Sequence, residues 1–463
     1  MANRRKTAFL QGAVVCCLAA APAWAEADFA TQFQTLLASA RTGDAAALAT
    51  ERLAAAPGDA QAQFALGAAQ FLGAIEGLGQ AMYRHGLTQS FNDGGFGIPG
   101  VTDLPFLRLP VPANPASEPF SAPVFRQILG DFDTGLASAE ATLAAVPKGE
   151  VELPLDVALI RLDMNGDGMG GEMESLPMII YAISGVFPGA PETPVTFDAA
   201  DVPWLRGYAH LLAGITGILL AHDWTETVEQ TFQAAFPASP LAARPLNDAL
   251  GPMREALAKA EAAGDCDYPS FNTWDHELTA EEQARLERFD ACRTLRDATR
   301  YGGIGDLVAF VHLWHWPVVD APRLITARQH FLTMISLSRE SWALILAETD
   351  DNHEWVPGPK QHGPFPNMRV TEETVAGWMD FLDQAEGVLD GRYLIPHWRF
   401  PPDQGVNIRR LFEEPRALDP ILMLTGSGAI PYIETGTMAP GSTLDTGMAL
   451  LEGGPLAYFF WFN

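Results

Sequence analysis

Apolar residues recur at three- and four-residue intervals over 27–56 and 60–85, on either side of the turn Pro57-Gly58-Asp59, and this spacing predicts a helical hairpin. The same period returns over 123–146, 153–162 and 175–185. It appears again over 204–221, 225–235, 245–263, 280–298, 306–316, 321–348 and 370–389. Asp320 stands where the longest of these helices needs an N-terminal cap, and Pro322 falls in its first turn, where a missing amide hydrogen costs nothing. Two stretches interrupt the pattern: 86–122, rich in Gly, Pro, Asn and Ser, and the Pro/Gly segment 187–203. After Gly391 the helical period gives way to short β-branched and aromatic runs broken by Pro396, Pro401, Pro402, Pro415 and Pro420. Short strands and loops packed on the helices are expected there. The fold class is therefore mainly α, a multi-helix globular protein with a mixed C-terminal segment.

The longest apolar stretch after the N-terminus, 208–221, is broken by His210, Gly214 and Gly217. It is too short for a bilayer core of about 30 Å and reads as a buried helix. The aromatic end, Tyr458-Phe459-Phe460-Trp461-Phe462-Asn463, is expected to pack as a terminal segment, because a membrane barrel needs many alternating strands and most of the chain is helical in pattern.

Composition narrows the function classes. The chain has 463 residues, 48% apolar and 19% charged, enough to bury a sizeable core and too little charge for wholesale disorder. Its 29 basic residues, only four of them Lys, are scattered among 57 acidic ones. That excludes a phosphate-binding patch, and with it nucleic acid, and favours cations or basic partners.

Arg4, Arg5 and Lys6 precede a mostly apolar run, Pro22 and the small-x-small site Ala23-Trp24-Ala25, which resembles a bacterial Sec-type signal peptide cleaved after Ala25. Cleavage takes the net charge from −28 to −31 and removes Cys16 and Cys17. Val15 spoils a lipoprotein box, so a soluble periplasmic or secreted product is expected, not transmembrane after cleavage. The remaining pair, Cys266 and Cys292, is expected to form one disulfide around a loop carrying Tyr268, Trp274 and His276. The expected organisation is signal peptide 1–25, helical hairpin 26–88, loop or linker 89–122, helical segment 123–186, helical domain 203–390 and mixed segment 391–463.

Within 163–174 the sequence reads Asp163-Met164-Asn165-Gly166-Asp167-Gly168-Met169-Gly170-Gly171-Glu172-Met173-Glu174. Oxygen side chains at the first, third and fifth positions, Gly at the sixth and Glu at the twelfth resemble an EF-hand calcium loop. The resemblance implies Asp163, Asn165, Asp167, the backbone carbonyl of Met169 and a bidentate Glu174 as Ca²⁺ ligands, with Gly171 acting through water. It also implies an entering helix over 157–162 and an exiting one over 178–183. The opening Asp-x-Asn-Gly-Asp-Gly is similar to a dockerin loop as well, but dockerins duplicate the segment and lack the entering helix. Gly170 departs from the family at the eighth position, where an apolar residue usually meets a partner loop, and the chain offers no second loop. Asp131 with Asp133, and Asp350-Asp351-Asn352-His353-Glu354, are acidic without the spacing. A single site in an exported protein is expected to act as a permanent structural brace.

His312 and His315 share a helix face beside Trp314 and Trp316, with His330 on the next helix. They make a candidate second metal site, weighed against half-buried histidines on an aromatic cluster. His210 and His222, twelve apart, are not neighbours on one face. His276-Glu277 lacks the second His of a zinc protease because Ala280 stands there, and Thr425 replaces the Gly of a nucleophile elbow around Ser427. The expected function is an exported calcium-binding protein, non-enzymatic, with a protein or glycan partner in the envelope. The alternative is a metal-dependent enzyme using the histidines of 306–330.

Overall fold

The computed structural model describes residues 23–87, 105–148, 150–184, 193–232, 235–236, 244–269, 278–299, 311–365 and 369–441. The signal peptide up to residue 22, residues 88–104 of the Gly/Pro loop, Trp274, His276, the start of the 306–316 helix and the aromatic end lie outside them.

Among the described residues the chain is mainly helical, with α1 Ala23–Ala38, α2 Thr42–Ala55, α3 Ala60–Arg84, α4 Ala122–Ala144, α5 Leu176–Ser184, α6 Asp201–Ala221, α7 Thr225–Thr231, α8 Arg244–Ala262, α9 Ala280–Thr299, α10 Ala321–Ile345, α11 Glu372–Leu389, α12 Ile408–Glu413 and α13 Pro420–Thr425. Strands β1 Leu153–Leu155 and β2 Val195–Phe197 pair antiparallel, Leu153 opposite Phe197. The C-terminal part carries an antiparallel sheet in the order β3 Ile395–Pro396, β4 Gln404–Val406, β5 Ile433–Thr435.

Local chemistry explains most helix ends. Asp59 accepts the Ala62 N–H at 2.9 Å to start α3, and Ser121 accepts from Val124 ahead of α4. Asp320 accepts the Arg323 N–H at 3.2 Å with Pro322 in the first turn of α10, as expected. Thr371 and Thr374 form a reciprocal capping box on α11. The N-terminal hairpin divides at Ala40, whose φ of 54° ends α1 and turns the chain into α2.

Two expected helices are corrected. Residues 153–162 form β1 and a turn: Val151, Leu153, Leu155 and Val157 alternate inward with Glu152, Pro154 and Asp156, a period of two that overrides the helical spacing of Ile160 and Leu162. Of 306–316, the described residues are helical only at 311 and 312. Trp316 instead exchanges backbone hydrogen bonds with Leu418 at 2.8 and 2.9 Å.

One apolar core runs from Phe29 in α1 to Val375 in α11 and includes buried side chains of α3, α4 and α6. α6 is the one described helix long and apolar enough to cross a membrane, and 61% of its apolar window is buried inside the protein. It lies against α10, where Gly214 and Gly217 permit close approach. A Cβ at Gly214 would stand 2.7 Å from the Phe331 ring, and one at Gly217 would stand 3.2 Å from the Ala327 Cβ. Cys266 and Cys292 form the expected disulfide, joining the end of α8 to α9 with Cα atoms 5.4 Å apart.

Candidate metal centre

The 163–174 loop leaves the turn after β1 and runs into α5. Its base is closed by an antiparallel bridge between Arg161 and Ser175, with Leu162 N–H donating to Glu174 O and Leu176 N–H to Ile160 O, both at 2.9 Å. The exiting helix is present as α5, and an extended segment stands where the entering helix was expected.

Asp163 is buried, and its carboxylate organises the turn. Its Oδ1 accepts N–H groups of Gly166 and Asp167 at 2.7 and 3.1 Å, and its Oδ2 accepts that of Gly168 at 2.9 Å. Asn165 Oδ1 accepts from Asp167 N–H, and Asp167 Oδ1 from Met169 N–H. Gly166 and Gly168 both sit in the left-handed region, at φ 77° and 83°, which accounts for Gly at those positions. Glu174, also buried, accepts N–H groups of Met164 and Gly171. The Met169 side chain is exposed.

The loop is seated on α3. Glu76 Oε2 accepts the Asp163 N–H at 2.9 Å while its Oε1 accepts the Thr42 hydroxyl at 2.8 Å, and the Gln80 amide donates to the Asp163 carbonyl at 2.8 Å. Burial raises the Glu76 pKa above the ordinary carboxylate value, and the charges of Asp163 and Glu174 push the same way. Met164, fully buried, fills the space over Gly79. Gly170 faces Ala40 and Arg161: a Cβ there would lie 3.0 Å and 2.6 Å from their Cβ atoms. Arg161 donates from its backbone to Leu37 O at 3.1 Å and from its guanidinium to Gly171 O at 2.7 Å. The surface that a partner loop would cover is thus occupied by the α1–α2 turn, which explains the Gly at the eighth position.

The side chains of Asp163, Asn165, Asp167 and Glu174 offer oxygen, the ligand type of a hard cation. The carboxylates of Asp163, Asp167 and Glu174 are not gathered within 4.8 Å of one another, and the oxygens of Asp163 and Glu174 are held on backbone N–H groups.

Among the described residues, the one set of three such donors already that close is Asp198, Glu348 and Glu354. Burial, with Asp198 beside both, raises Glu348 and Glu354 to about 7, and Glu348 shares a hydrogen bond with Asp198. Glu354 belongs to the acidic run noted in the sequence, but Asp198, brought alongside by the bridge between Thr196 and Glu354, carries no local signal.

Among the described residues His312, His315 and His330 belong to no set of three close donors. His312 is exposed, and His315, also exposed, faces Asp419 at 3.5 Å. His330 meets His210 instead, Nδ1 to Nδ1 at 2.7 Å, and His210 Nε2 lies 3.3 Å from Glu140, itself clamped by Arg206. Burial, then the neighbouring His210, lowers the His330 pKa. His222 bonds the Ile218 carbonyl of its own helix. No protein-family model matches the chain, and neither does any curated protein or solved structure.

Proposed function

We propose that the protein is an exported, calcium-braced binding protein of the cell envelope, with Asp163, Asn165, Asp167, the Met169 carbonyl and Glu174 as the ligands of one Ca²⁺. The observation that carries this reading is the turn around Asp163: three backbone N–H groups converge on its carboxylate, left-handed Gly168 sits at the sixth position, and buried Glu174 stands at the twelfth. The loop is the exiting half of an EF-hand, with β1 and its turn replacing the entering helix. A bracing role is supported by what the loop touches, since α3, the α1–α2 turn and α5 all meet at it. The order of residues 1–25 and the Cys266–Cys292 disulfide support an oxidising compartment outside the cytoplasm.

Thermal unfolding with calcium and with chelator tests the reading. The parent midpoint should fall in chelator, and Glu174→Gln should start low and respond little. A parent midpoint unmoved by chelator overturns it.

A further inference from the structure

Beside the loop, α5 and α3 enclose a second feature. Twenty side chains from α1, α3, β1 and its turn, α5, β2, α6 and Trp355 line a half-open cavity of about 210 Å³, and none of them is charged. Protein interiors are packed at crystal density and seldom leave a void larger than a water molecule. Several lining side chains, Leu72, Ile75, Ile180 and Ile183 among them, are only half-buried although they point into this space. Water gains little there, because it needs two to four polar partners and the walls are hydrocarbon and aromatic ring. A ligand pocket has this character: concave, preformed and apolar.

We infer that this cavity is a binding site for an uncharged hydrocarbon group, an alkyl chain or fused ring system carried by a small molecule. An apolar cavity of about 150 Å³ holds one benzene, so this volume takes about eight or nine carbon atoms. Trp204 and Trp355, whose rings meet edge to face at 6.0 Å, supply flat walls. The wall formed by Leu176, Ile179, Ile180 and Ile183 is α5, the helix that starts two residues after Glu174, so the site lies next to the calcium loop without using its ligands.

The test uses n-propylbenzene, nine carbon atoms, titrated calorimetrically into the full chain in excess calcium, so that failure of the cavity and failure of the calcium loop are read separately. Saturable binding of one probe per chain, displaced by 1-octanol, is expected. Ala68→Phe on α3 and Ile180→Trp on α5 should each fill the space and weaken binding at least tenfold, while keeping the parent's circular dichroism. Absence of saturable binding to the parent overturns the inference, as does undiminished binding in whichever variant folds.

Discussion

Gly170 separates a self-contained loop from one that waits for a partner. In paired EF-hands an apolar side chain at this position is favourable. Here a Cβ would stand 2.6 Å from Arg161 Cβ and 3.0 Å from Ala40 Cβ, against an optimal carbon–carbon separation of about 3.5–4.0 Å. Both obstacles are anchored directly to backbone, and the Arg161 backbone is itself bonded to Leu37 O. Relief therefore requires Arg161 to retreat by about 1 Å and Ala40, in the α1–α2 turn, by about 0.5 Å. Overpacking of this kind costs about 1–3 kcal/mol, so Gly170→Ala should lose that much and Gly170→Ile should reach at least the upper end. Neither gains helix propensity in return, because residue 170 lies in a loop. The assay is urea unfolding in saturating calcium, read by midpoint at constant slope. A Gly170→Ile variant as stable as the parent, or more so, refutes the packing assigned to the loop.

Other outcomes follow from the same contacts. Glu76→Ala leaves the Asp163 N–H and the Thr42 hydroxyl without their acceptor and should cost about 1–3 kcal/mol, whereas Glu76→Gln keeps an acceptor and should cost less, both measured by urea unfolding. Reducing Cys266–Cys292 should remove about 3 kcal/mol of loop-closure stabilisation. Since no described residue of 251–299 belongs to the main core, hydrogen exchange should rise in α8 and α9 first, and a uniform rise would contradict that local effect. Burial pushes Glu348 and Glu354 up to about 7 from 4.5, so the folded chain holds more protons between those values and stability should fall as pH rises through that window. With calcium saturating, the thermal midpoint should drop from pH 5 to pH 8, and Glu354→Gln should flatten the drop.

Much of the helical framework was legible because helices with one buried face repeat apolar residues locally: α3, α4, α6, α10 and α11 fall close to their expected ranges, and Asp320 caps as read. The segment 151–157 was misread although its alternation is plain, since Ile160 and Leu162 extend a helical spacing that Pro154 and the pairing with β2 overrule. The spacing of 163–174 was legible, and Gly166 and Gly168 in it take left-handed conformations. The seat of this segment was not. Glu76, Gln80 and Ala40 come from distant helices, and nothing local marks them as neighbours of Asp163 and Gly170. The same limit hid the pairing of His210 with His330 and the meeting of Asp198 with Glu348 and Glu354.

The most direct measurement is a calorimetric titration of Ca²⁺ into chelator-treated protein, run in parallel on the parent, Glu174→Gln and Glu354→Gln. The parent and Glu354→Gln should each bind one ion per chain, and Glu174→Gln should lose that binding. No binding by the parent, or binding that survives in Glu174→Gln and disappears in Glu354→Gln, would contradict the account.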